Sequence, residues 1–372
     1  MTEWSHTSPA QRIHFGPGSV DRVSDVIREV GGRRVLLVTT TGRLESNAGA
    51  QLVAKLGRTL AATFDGVRSH VPTTAVQAAL GIARDRDVDI VVSFGGGSCA
   101  DLAKAVCFFV EHESGAPGAS YVDRPGLPHV SIPTTYAGAE LTSHFGVTEV
   151  STRRKTGAGG PTIAPLAVLY DPVLTLDTPR QVSAQTGMNA LAHGVEAAYS
   201  RARTPEAEAL ALAAIRTIVA ALPAVADDPS DLEARTAMLE GAILAGRSVQ
   251  NAVMGAHHGL TELLGGRTGM PHGLANALLL AHVLRYNAEA IGGQMGKIGD
   301  ALGSRDDPAG AIDRLRMRVG IPVGLQRAGV VEEDMEAVAR MSEGSSSVQA
   351  NPRRATEADA MGILEAAYPD LD

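Results

Sequence analysis

Residues 88–98 read Val88-Asp89-Ile90-Val91-Val92-Ser93-Phe94-Gly95-Gly96-Gly97-Ser98. A short, mostly β-branched apolar run that stops at three glycines and passes into a helical pattern through Asp101, Lys104 and Val110 has the form of a buried strand feeding a helix. The same form recurs in the first half of the chain. Residues 34–39 (RVLLVT) open onto TTTGR, residues 129–132 (HVSI) lead into Pro133-Thr134-Thr135, and residues 167–170 (AVLY) lead into Asp171-Pro172. Apolar strands separated by helix-length segments predict an α/β domain built on a parallel sheet covered on both faces.

From about Pro179 the texture changes to Ala/Leu-rich helix and strand signals nearly vanish. Thr204-Pro205 reads as an N-cap followed by proline at the first helical position. The helix it starts is expected to run to about Ala221, before Pro223. Residues 230–233 (SDLE) read as a capping box with Ser230 as the cap. The expected organisation is an α/β dinucleotide-binding domain over 1–175 and an all-helical domain over 176–372, with the cleft between them as the expected place of an active site.

Composition narrows the function. The 372 residues give room for two buried cores. A net charge of −8 and 3% aromatics argue against a nucleic-acid partner, which calls for a basic stripe and stacking platforms. Cys99 and Cys107, the only two cysteines, fall eight apart on one expected helix, roughly 12 Å at the helical rise, too far to bridge. The polar start and the lack of an uninterrupted apolar run of membrane length predict a cytoplasmic protein with no membrane partner.

Gly95, Gly96, Gly97 and Ser98 stand where backbone can approach a pyrophosphate and a helix N-terminus supplies N–H groups. This is not the GxGxxG fingerprint, and a plain strand-to-helix turn remains open. Thr134 and Thr135 follow another strand end, and two such loops at one sheet edge are the arrangement of a dinucleotide site. An acid that would bind ribose in NAD is missing after the first strand, where Thr39-Thr40-Thr41 and Arg43 stand. Arg43 either pairs with a 2′-phosphate or is a solvated loop charge.

The second half carries a histidine cluster. His193 follows Asn189 by four residues, His258 precedes Glu262 by four, and His272 stands in MPHGLAN. Residues i and i+4 share a helix face. A carboxylate at 189 would complete a one-Asp, three-His cation site, but the residue is a neutral amide, a poor ligand for Zn²⁺ or Fe²⁺. Without a metal, the cluster suits an enone reduction: imidazole or amide donors hold the developing enolate. Glu262 then either delivers a proton, if burial raises its pKa, or only organises the pocket. His257, about 100° round the helix from His258, is expected to pack or bond to backbone. His6, His70, His112, His129 and His282 default to surface or loop roles. Lys155, Arg247 and Arg267 are candidates to hold a substrate carboxylate.

FGGGSCADLAKA, PTTYAGAELTS, Lys155 in RRKTG, YDPVLTLDTP, GMNALAHGVEA, HHGLTELLGG and PHGLANALLL occur in the order found in iron-containing (group III) alcohol dehydrogenases, from about residue 12 onward. Within that superfamily the chain resembles the maleylacetate reductase branch, through Tyr136, Asn189 and the double histidine ahead of LGG. The resemblance implies a Rossmann-like N-terminal domain, an all-α C-terminal domain and a homodimer. It implies NADH or NADPH bound by Thr40, Gly95, Gly96, Gly97, Ser98, Thr134 and Thr135. It places the metal-ligand positions of the alcohol dehydrogenases on Asn189, His193, His258 and His272, in a branch regarded as not needing the metal. If a divalent iron or zinc is held at all, His193, His258 and His272 are its ligands. Catalytic candidates are therefore Asn189, His193, His258, Glu262, His272 and Tyr136. Glu262 stands where both branches usually carry a relay histidine, and His144 where an apolar residue is more common. The expected activity is NAD(P)H-dependent reduction of a small oxo acid or enone. A lyase or isomerase using Glu262 as acid/base and, third, a metal-dependent alcohol dehydrogenase are the alternatives.

Overall fold

The computed structural model of the protein describes residues 4–6, 8–115, 125–152 and 154–371. Its strands are β1 (Arg12–Phe15), β2 (Val35–Val38), β3 (Leu60–Phe64), β4 (Ile90–Gly95), β5 (His129–Pro133), β6 (His144–Glu149), β7 (Arg154–Gly159) and β8 (Ala167–Tyr170). Six of them form a parallel sheet in the order β1-β8-β5-β4-β2-β3, while β6 and β7 pair as an antiparallel hairpin. Every residue of β2, β4, β5 and β8 is buried. That is why these four read as continuous apolar runs. The edge strands β1 and β3 have half-exposed residues and mixed sequences, and neither they nor the hairpin was expected.

Alternate residues of β2 and β4 feed opposite cores. Leu36, Val38 and Val91 pack with Val76, Leu80, Leu102 and Val106, from α4 (Thr73–Asp85) and α5 (Gly97–Glu113). Val35, Leu37, Val92 and Val130 pack with Val26, Ile27, Leu52 and Leu56, from α1 (Val23–Glu29) and α3 (Asn47–Leu56). The one-turn helix α2 (Thr41–Leu44) follows β2. At about 1.5–3 kcal/mol for each fully buried Val or Leu, the two cores hold the sheet and its covering helices together. His129, expected on a surface or loop, is instead fully buried in β5. Its Nε2 lies 2.8 Å from Ser93 Oγ, which donates onward to Ser131 Oγ at 2.9 Å. Burial, then the charge of Lys104, lowers its pKa to about 3.

The chain divides into two compact units. One is Ser8–Thr135 with Ala139–Thr178, which holds the sheet; the other is Tyr136–Gly138 with Pro179–Asp372 and the first residues of the chain. The helices of the second are α6 (Arg180–Tyr199), α7 (Pro205–Asp227), α8 (Leu232–Val249), α9 (Ala256–Thr268), α10 (His272–Ile291), α11 (Gly293–Leu302), α12 (Pro308–Arg318), α13 (Glu332–Ser342), α14 (Ser346–Ala350) and α15 (Glu357–Ala366).

Thr204 caps α7 as expected, Oγ1 accepting from Ala207 N at 3.1 Å. The helix does not stop before Pro223 but continues to Asp227. Pro223 forfeits one backbone bond, yet the buried Leu222, Val225 and Ala226 keep the last turns on the core. By length and composition α7 could cross a bilayer; here it packs against α6 and α8. The cap of α8 is Asp231, whose Oδ1 accepts from Ala234 N at 3.0 Å, while Ser230 Oγ turns to Asp228. The expected cap was one residue early, displaced by the stronger carboxylate acceptor. His282 lies within α10, not in a loop, and burial lowers its pKa to about 4.

Candidate active site

In the sheet unit, β2 and β4 are neighbours at the point where the strand order reverses, the place where open α/β sheets bind ligands outside their carboxyl ends. β4 ends at Gly95, whose φ of +145° disfavours any side chain. A Cβ there would stand 2.6 Å from Cys99 Sγ, and one on Gly96 would stand 3.2 Å from Thr135. Gly96 is the N-cap of α5, so Gly97 and Ser98 form its first turn. The backbone thus lies bare at a helix N-terminus, with Thr134 and Thr135 beside it: Thr134 N donates to Gly95 O at 2.9 Å. Thr40 caps α2, its Oγ1 accepting from Arg43 N at 3.3 Å. Arg43 is half-buried, and its guanidinium donates to Thr178 Oγ1 at 2.6 Å. It is anchored rather than solvated.

In the helical unit, α6, α9 and α10 bring the histidines together. The His193 and His258 rings stack with centroids 4.8 Å apart, and His272 lies 6.0 Å from His258. Asn189 is buried; its Nδ2 donates to Ala137 O at 3.3 Å, and its Oδ1 has no hydrogen-bond partner. His258 Nε2 is likewise buried with no partner. Glu262 is half-buried one turn along α9.

The residue that sequence reasoning missed is Glu196. It lies three residues after His193, so Asn189, His193 and Glu196 share one face of α6. Fully buried, it bonds His258 Nδ1 closely, accepts from Gly255 N at 2.7 Å and from His258 N at 3.3 Å. Burial alone would raise its pKa, but the charge of His258 and the hydrogen bonds from His257 and His258 outweigh it and hold the carboxyl well below its usual range. His257 behaves as expected: Nε2 bonds the backbone oxygen of Asn276 at 3.0 Å. Asn351 completes the start of α9, Oδ1 accepting from Ala256 N at 3.1 Å and from Asn287 Nδ2 at 3.1 Å, while its own Nδ2 donates to Asn287 Oδ1 at 2.6 Å.

Tyr136 is 1% exposed, and its hydroxyl accepts from the fully buried Arg235 at 3.3 Å. That bond makes it a brace of the helical unit. Arg267 pairs with Asp334 at 2.7 Å on the surface. Lys155 and His144 belong to the β6–β7 hairpin, and Arg247 is half-buried on α8.

His193, His258, His272 and the amide oxygen of Asn189, with the buried lone pairs of Asn189 Oδ1 and His258 Nε2 unpartnered, are the donors that would hold a divalent cation, the amide being the weakest of the four. Glu196, behind His258, supplies the negative charge that a carboxylate at 189 would have supplied directly.

The chain resembles known proteins over nearly its whole length. Residues 10–172 match the family model for iron-containing alcohol dehydrogenase, and residues 183–368 that for the C-terminal domain of the Fe-containing alcohol dehydrogenase family. The chain is 36% identical over 366 residues to maleylacetate reductase of Pseudomonas aeruginosa, covering 98% of this chain and 97% of that one. The crystal structure of maleylacetate reductase from Agrobacterium tumefaciens superposes with a TM-score of 0.85 at 32% identity, covering 99% of both chains. That of sulfoacetaldehyde reductase from Bifidobacterium kashiwanohense, in complex with NAD+, gives 0.88 at 25% identity, again over 99% of both.

Proposed function

The chain belongs to the iron-containing alcohol dehydrogenase family, and on that premise we propose an NAD(P)H-dependent reductase of the maleylacetate reductase type, acting on a small oxo acid or conjugated enone. The full-length similarity to maleylacetate reductases carries this reading, and the non-redox alternative is not favoured.

The glycine loop and the start of α5 receive the cofactor pyrophosphate. NAD(P)H held there would supply a hydride, with its electron pair, to the electrophilic carbon of the substrate and be left as NAD(P)+. In an enone, the electrons of the double bond move toward the carbonyl oxygen, and a proton then completes the product. The imidazole and amide groups at 193, 272 and 189 suit the site where that negative charge develops. Asn189, His193, His258 and His272 are the residues that would hold a divalent cation, whose chemistry there would be polarisation of the substrate carbonyl. A cytoplasmic homodimer, supported by the family resemblance, belongs to the same reading; light scattering of the purified protein tests the dimer.

The deciding assay is loss of 340 nm absorbance with NADH or NADPH across a panel of small oxo acids and enones. Product formed in proportion to cofactor consumed is the expected result. Turnover without net cofactor change would overturn the reading.

A further inference from the structure

Glu196 presents two oxygens that can only accept hydrogen bonds while the carboxylate is ionised. Oε1 takes the N–H of Gly255, and Oε2 takes the backbone N–H and the Nδ1 of His258. The carboxylate therefore sits at the N-terminus of α9, in the field of its dipole, and grips one residue of that helix by both main chain and ring. The backbone is shaped to admit it: a Cβ on Gly255 would stand 3.1 Å from Oε1 and 2.5 Å from Asn351 Oδ1.

We infer that Glu196 is a positioning residue for the reaction, holding His258 with its hydrogen on Nδ1 so that the lone pair of Nε2 is presented to the histidine cluster. A helix cap alone does not explain it. Capping is ordinarily done by Ser, Thr, Asp or Asn at the cap position itself. Here a carboxylate from another helix is fully buried, at a desolvation cost of several kcal/mol. What a local cap could not supply is the bond to Nδ1. With that nitrogen taken, Nε2, buried and without a partner, is the atom left to meet substrate or a cation. The consequence for turnover rests on the reductase reading; the tautomer does not.

The test reads the tautomer first. In protein labelled with ¹⁵N-histidine, two-bond ¹H–¹⁵N correlation should show His258, assigned by its loss in His258→Gln, with a protonated Nδ1 and an imine-type Nε2. An Nε2–H tautomer would overturn the inference and leave the reductase reading standing. Glu196→Gln keeps the size but turns one oxygen into a donor, so the tautomer should reverse. kcat should then fall about 10- to 100-fold, as for other groups that orient a reactive histidine, while KM stays within about threefold. Glu196→Asp, still an acceptor, should recover part of kcat. Unchanged kcat in Glu196→Gln at a reversed tautomer would reduce Glu196 to a cap and refute the positioning role. Gly255→Ala, which crowds Oε1, serves where Glu196→Gln does not fold, with a smaller loss of kcat expected and no loss counting against the role. A correct tautomer in a protein that reduces nothing on the panel would strike the reductase reading alone.

Discussion

Acidification should weaken the sheet unit through His129. Its side chain is fully buried, with Ser93 of the neighbouring strand β4 as hydrogen-bond partner, and burial, reinforced by Lys104, lowers its pKa from 6.5 to about 3. Between those values the unfolded chain binds a proton that the folded chain refuses. Stability is therefore full above pH 6.5 and falls as pH drops toward 3. One pKa unit is worth about 1.36 kcal/mol, so the loss at pH 5 is about 2 kcal/mol and the full loss below pH 3 about 5 kcal/mol. His129→Gln keeps a hydrogen-bonding side chain and removes the titration. With an m-value of roughly 2 kcal/mol per molar urea, the wild-type midpoint should drop by about 1 M between pH 7 and pH 5 from this residue. Urea unfolding followed by circular dichroism at both pH values should show that part of the drop absent in the variant. His282, in the other unit, adds a similar fall common to both proteins. Equal pH dependence in wild type and variant would refute the claim that His129 is held neutral by burial.

Three further outcomes follow from Gly95, Thr40 and the thiols. Gly95→Ala forces a side chain into φ +145° against Cys99 Sγ; it should cost about 1–3 kcal/mol, seen as a lower Tm, and weaken NAD(P)H binding in fluorescence titration. Thr40→Asp retains the cap on α2 while setting a negative charge where a ribose would bind; kcat/KM for NADPH should fall at least about tenfold relative to NADH, since a like-charge contact costs more than 1.4 kcal/mol. Cys99 and Cys107 are buried, and burial pushes the Cys99 thiol up to about 12 and raises Cys107 as well; neither should react with Ellman's reagent at pH 8 until the protein is unfolded.

The sequence disclosed those parts of the molecule whose burial is uniform. β2, β4, β5 and β8 are enclosed on both faces, so their apolar runs were plain; β1 and β3, at the edges, mix polar residues with apolar ones and carry little signal. His129 escaped because a single histidine in an apolar strand gives no hint of the serine that bonds it from the next strand, two residues beyond its register partner Val91. In the site, the four-residue spacings put Asn189 with His193 on one face of α6 and Glu262 one turn along α9 from His258. Glu196 was equally visible at i+3 from His193, but α6 is buried on nearly every side from Ser183 to Tyr199. On such a helix no polar stripe separates a functional acid from the rest, and only the approach of α9 reveals what it binds.

The amide pair of Asn287 and Asn351 bears on the order of assembly. The start of α9 is tied to Glu196, 59 residues before Gly255, and to Asn351, 95 residues after Ala256. Both closures carry an entropic cost that no local contact offsets in advance. Individual helices can form early in refolding, whereas the orientation of His258 must wait until distant segments of chain have met. Recovery of enzymatic turnover is then a clock for the last tertiary step, running behind the far-ultraviolet signal of the helices themselves.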